Sequence, residues 1–223
     1  MDKVLHPSGN LRTQHWVERL VLNKWFWVLA VGFFFAYPAL KSVQRELPAE
    51  LPVLYQLPAF TLLNEEGRAF GSEDLHGKVY VASFLFTSCT TACPIILKEL
   101  QMVQHRLRGV IDRAAIVSFS VDPEVDRPQV LYQVARERKA NPNVWRFLTG
   151  TPSEIRSLLV DGFKVPMGER EEIADNVMDV AHSNKFVLVD QQGRVRGYYS
   201  ADKAGVNQMM IDVGLLINRK PNS

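Results

Sequence analysis

The chain has 223 residues, of which 47% are apolar and 22% charged, and its net charge is +2. That composition supplies a sizeable core and excludes wholesale disorder. The near-neutral balance gives no basis for a nucleic-acid binder held by phosphate contacts. With only two cysteines, a disulfide-stapled mini-domain and a four-cysteine zinc site are also excluded.

Residues 1–24 read as an N-terminal tail carrying Lys3, Arg12, Arg19 and Lys24. Residues 25–40 hold 16 residues without a charge, bounded by Lys24 and Lys41. Roughly 17–25 apolar residues cross a bilayer. Leu20, Val21 and Leu22, with Lys24 snorkelling, bring the segment into that range. Trp25, Trp27 and Tyr37 stand towards its ends, where amphipathic rings favour the interface. Tyr37-Pro38-Ala39 lacks the small first residue of a cleavage site, so an uncleaved transmembrane signal anchor is expected. Four basic residues before the span, against Lys41 and Arg45 after it, place the tail in the cytoplasm. Without an Arg- and Ser-rich transit peptide, the expected location is the inner (cytoplasmic) membrane, single-pass, with the C-terminal domain in the periplasm. Beyond residue 40 the chain carries 22 basic and 22 acidic residues, so bulk charge does not select an acidic partner.

Residues 41–58, with Pro48, Pro52 and Pro58, read as a proline-rich tether, and residues 59–219 as the folded domain. Residues 60–70 predict a hairpin turning at 64–67. The apolar run 78–86 predicts a central strand buried on both faces. Residues 94–110 predict a helix whose apolar stripe is Ile96, Leu100, Val103, Leu107 and Val110. A buried strand at 114–121 follows, then a helix over 127–140 with Asp126 as its N-cap. A short strand is expected at 145–149, then a helix over 152–163 capped by Thr151 with Pro152 at its first position. Residues 164–181 read as a long surface loop. Strands at 185–189 and 195–199 join through a turn at 190–193, and a final helix covers 203–218. Alternating strands and helices define an α/β layer structure.

Cys89 and Cys93 stand between the end of the buried strand and the first turn of the first helix of that domain. A helix N-terminus stabilises thiolate, residues four apart on a helix share a face, and Pro94 removes an amide that lacks a partner there anyway. Two small buried hydrophobes, or a structural disulfide closing so short a loop, explain this placement poorly. Redox work and metal binding remain. Thioredoxin-like motifs have two residues between the cysteines, whereas here Thr90, Thr91 and Ala92 intervene. Soft thiolates with a histidine also make a copper(I) site. Among the histidines, His6 and His15 precede the span, His76 reads as a solvated turn residue and His105 as a surface residue. His182, just before the strand at 185–189, is the candidate ligand. Asp122 reads as a turn residue or an electrostatic neighbour of the site. Met167 and Met178 are weak soft-ligand candidates, and Met209 and Met210 read as helix residues.

The segments FLFTSCTTACP (84–94), SFSVDPEVDRP (118–128), FLTGTPSEI (147–155) and MDVAHSNKFVLVDQQG (178–193), with the N-terminal anchor, resemble the Sco/SenC family. These are membrane-anchored thioredoxin-fold proteins that help to assemble the copper centre of cytochrome c oxidase. The resemblance covers roughly residues 57–215. It implies a thioredoxin-like fold enlarged by the N-terminal hairpin and the long loop, and one copper ion, Cu(I) or Cu(II), bound by Cys89, Cys93 and His182. It also implies the copper-binding subunit of cytochrome c oxidase and other copper carriers as partners. The chain departs from the family at Thr90, where proline is common, and at Ala181, where aspartate is common. Neither departure removes a ligand, though a lost neighbouring carboxylate affects how a ligating imidazole is held. The expected function is a copper chaperone. The alternative is a thiol–disulfide oxidoreductase, with Cys89 as nucleophile and Cys93 as resolving thiol. A thiol peroxidase needs a lone peroxidatic cysteine with its partner set, and no such motif surrounds Cys89.

Overall fold

The computed structural model describes Arg19 and residues 21–43, 50–88, 92–165, 171–173, 177–179 and 185–218. The chain divides into two compact units, residues 1–50 and 51–223.

In the first unit, α1 (Lys24–Val43) spans 20 residues. Asn23 starts it by accepting the Trp25 amide at 3.0 Å, and Lys41 suits the negative end of the helix. Trp25, Trp27, Leu29, Phe33, Phe34, Phe35 and Leu40 are all exposed. A helix apolar all round has no polar face to give to water. Among the described residues, no helix is long and apolar enough to cross a membrane. Lys24 and Lys41 fall within the 20 residues of α1 and shorten its uncharged run. The expected segment 25–40 thus falls within a single helix.

The second unit is built on an eight-stranded mixed sheet. In chain order its strands are β1 (Tyr55–Gln56), β2 (Thr61–Asn64), β3 (Ala69–Gly71), β4 (Val79–Leu85), β5 (Ala114–Ser120), β6 (Trp145–Thr149), β9 (Lys185–Val189) and β10 (Arg194–Ser200). Their order across the sheet is β1-β10-β9-β4-β5-β6-β2-β3. β4, β5 and β6 are parallel, and β9 runs antiparallel to β4. Every residue of β4 and β5 is buried, as apolar runs covered on both faces require. The helices are α2 (Ala92–Leu107), α3 (Pro128–Glu137), α4 (Pro152–Ser157) and α5 (Lys203–Asn218). One core joins Val81, Leu85, Ile116 and Phe147 to α2, α3 and α5. The other joins Ala82, Phe84, Val117 and Phe119 to α4 and to Leu57, Phe163 and Val165. The period-two alternation of β4 and β5 thus feeds two opposed cores.

The two expected hairpins form. β2 pairs with β3, and β9 with β10. Gly67 and Gly193 take positive φ in their turns (both 74°), a conformation that favours glycine. Other expectations change. The tether read over 41–58 ends earlier, because Tyr55 and Gln56 pair with β10 and Leu57 is buried. The Arg196 guanidinium also donates to the carbonyls of Leu51 and Pro52. The helix read to residue 140 ends at Glu137, and Lys139 turns the chain at φ 52°. The helix read over 152–163 is α4 alone, with the Thr151 cap as expected. It passes into a wider turn at Leu158–Gly162, closed by Phe163 N donating to Leu158 O at 2.8 Å. The loop read over 164–181 contains a small separate ribbon, β7 (Glu171–Ile173) against β8 (Val177–Asp179).

Candidate metal centre

The parallel register of β4 and β5 and the antiparallel register of β4 and β9 bring three ends to one edge of the sheet. These are the C-terminal ends of β4 and β5 and the N-terminal end of β9. The chain leaves β4 at Leu85 and enters α2 at Ala92. Cys93 therefore sits in the first turn of α2 at this edge. It is 3% exposed and belongs to the core shared with Leu85, Phe86, Ile96 and Leu97. β9 starts three residues after His182.

Cys89 and His182 lie outside the described residues, as do Met167, Thr90 and Ala181. The structure thus places one of the three expected ligands and the strand ends that flank the other two. Among the described residues, no group of three or more His, Cys, Asp or Glu side chains stands close enough to hold a metal ion. His76 and His105 are exposed, in line with their reading as solvated residues. Met209 is fully buried in the core.

Asp126 does not cap α3. The N-cap is Arg127, and no side chain caps that helix. Instead the Asp126 carboxylate is fully buried. It accepts the Thr87 amide at 3.1 Å on each oxygen, the Thr87 hydroxyl, and the Ser120 hydroxyl at 2.7 Å. Burial pushes its pKa above the usual carboxylate range; the Thr87 and Ser120 bonds pull it back in part, and Asp122 adds to the rise. The Ser120 oxygen in turn accepts the Asp122 amide at 3.1 Å. Sequence reasoning missed this cluster. Its signal was the pair of hydroxyls, Thr87 and Ser120, at the ends of two adjacent buried strands, since buried polar groups need partners.

A parallel β4-α2-β5 unit, an antiparallel β9-β10-α5 unit and a buried cysteine opening α2 together define a thioredoxin-like α/β domain. The SCO1/SenC family profile matches residues 54–216, and the chain belongs to that family. The SCO1 protein homolog of Bacillus subtilis is 33% identical over 164 residues, covering 73% of this chain and 83% of that one. The solved structure of BsSco is 31% identical with a TM-score of 0.66, covering 78% of this chain and 100% of that one. BsSco is described as a member of the Sco family of cytochrome c oxidase assembly proteins with a disulfide switch. Arabidopsis thaliana ScoI, solved with copper bound, is 25% identical with a TM-score of 0.59, covering 72% of this chain and 95% of that one.

Proposed function

We propose that this chain is a copper chaperone of cytochrome c oxidase assembly, binding one copper ion through the Cys89 and Cys93 thiolates and a nitrogen of His182. The observation that carries the reading is the burial of Cys93 in the first turn of α2, at the edge where β9 begins. Two soft sulfurs and an imidazole suit Cu(I). A three-ligand site keeps a position open for an incoming ligand, so the ion can move to an acceptor by stepwise replacement. The acceptor in this reading is the copper-binding subunit of cytochrome c oxidase, with other copper carriers as donors. Support comes from membership of the SCO1/SenC family and from the copper-bound Arabidopsis thaliana relative.

The proposal extends to placement. Residues 1–24 form a cytoplasmic tail, 25–40 a single membrane anchor, and a tether from residue 41 leads to a periplasmic domain. The uncharged aromatic run of α1 and its exposed side chains support this. Leu20, Val21 and Leu22 extend the apolar run ahead of the helix. A tether confines the domain near a membrane partner and raises its effective concentration there.

A thiol–disulfide oxidoreductase is the second reading, favoured by the disulfide switch described for BsSco. Here Cys89 and Cys93 give two electrons to an acceptor disulfide and close a disulfide themselves. The two readings separate at His182. In a disulfide-exchange assay against an acceptor peptide carrying a disulfide, the chaperone reading predicts slow exchange in the wild type. Fast exchange that survives His182→Ala would support the reductase.

A further inference from the structure

A fully buried carboxylate is costly unless its oxygens are paired, and at Asp126 the pairing is specific. Two of its three donor groups, an amide and a hydroxyl, belong to Thr87. Thr87 stands two residues after the end of β4 and two before Cys89. The third donor, Ser120, closes β5, opposite Leu85 in the β4–β5 register. Helix capping does not account for the carboxylate, because α3 is capped by no side chain. Its contacts instead run from the loop after β5 to the point where the chain departs towards Cys89.

We propose that Asp126 is a positioning residue for the copper ligands: its bonds to the Thr87 amide and hydroxyl fix the chain's exit from β4, two residues before Cys89. The inference rests on the copper reading above. A loop ordered in advance spares the site the entropy of ordering it on binding. Charge and position make opposite predictions here. Cu(I) held by two thiolates and a neutral imidazole carries a net negative charge, so a nearby carboxylate opposes it. Acting by charge alone, Asp126 would weaken copper binding; acting by position, it strengthens it.

The test uses the full chain and the variants Thr87→Val and Asp126→Asn, with folding checked by circular dichroism. Thr87→Val keeps side-chain volume and the buried carboxylate but removes the hydroxyl donor. Positioning predicts Cu(I) affinity about tenfold weaker in both variants, read by competition with a chromophoric chelator. It also predicts, in metal-free protein, that the pH midpoint of thiol alkylation rises in Thr87→Val, since a helix N-terminus stabilises a thiolate only where the chain brings the sulfur to it. Wild-type affinity with a wild-type alkylation profile in Thr87→Val would overturn the proposal, as would equal or tighter Cu(I) binding in Asp126→Asn. If the wild-type chain binds no Cu(I), the copper reading fails, while the alkylation profile still decides the role of Asp126.

Discussion

Asp190→Ala destabilises the domain more than Arg196→Met, and the difference follows from what each change leaves behind. The Asp190 carboxylate is 1% exposed. It accepts Arg194 Nε and Arg196 Nη1, both at 2.8 Å, and the amides of Gln192 and Arg194 at 3.0 and 2.9 Å. Removing it strands the Arg196 guanidinium, itself 8% exposed, without a counter-charge, and strips the β9–β10 turn of its acceptor. Breaking a buried pair from one side costs about 3–5 kcal/mol, so Asp190→Ala is expected near 4 kcal/mol. Arg196→Met leaves Asp190 its second guanidinium and both amides. Its cost is about 2 kcal/mol, mainly the lost charged bond. The carbonyls of Leu51 and Pro52 also lose their donor, which loosens the N-terminal edge of the domain. Urea denaturation followed by far-UV circular dichroism, with linear extrapolation, gives both values. Equal losses, or losses below about 1 kcal/mol in both variants, would refute the reasoning.

Other consequences are smaller or more local. Leu100 is fully buried between α2 and the sheet, and Leu100→Ala is expected to cost about 3 kcal/mol in the same assay. Tyr199 donates to Asp212 at 2.7 Å. Burial, and then that bond, push its hydroxyl above the ordinary value of 10.0. Tyr199→Phe is expected to cost about 1 kcal/mol and to remove one late-titrating tyrosine from the alkaline absorbance curve. Asp126 gives a pH dependence. Its folded pKa lies above the ordinary 3.8, chiefly through burial. Its protonation therefore stabilises the fold below that value, and the benefit is lost as pH rises through the folded pKa. The wild type thus gains stability relative to Asp126→Asn on acidification from neutral pH, which urea titrations at two pH values would show.

The sequence made the central layer legible because β4 and β5 are apolar runs with few alternatives, and the final helix was read with the bounds of α5. The α2 stripe was readable from its spacing, although the helix starts and ends a few residues earlier. Long-range pairing was not legible. Tyr55 and Gln56 lie in a proline-rich stretch, and only the free edge of β10 makes them a strand. Asp126 has the local pattern of a cap, yet the hydroxyls of Thr87 and Ser120, 39 and 6 residues away, draw it inward. Local pattern favoured a single helix over 152–163, whereas burying Leu158, Leu159 and Phe163 together widens the turn after α4. At the candidate site, the strand-end placement of Cys93 followed from the sequence. Its near-complete burial came from packing with α2 and β4.

The most direct test of the account is an anaerobic Cu(I) titration of the reduced full chain against a competing chelator, with His182→Ala in parallel. The account predicts one tightly bound equivalent in the wild type and clearly weaker binding in the variant. No competitive binding, or binding indifferent to His182, would contradict the three-ligand copper site and leave thiol–disulfide exchange as the function.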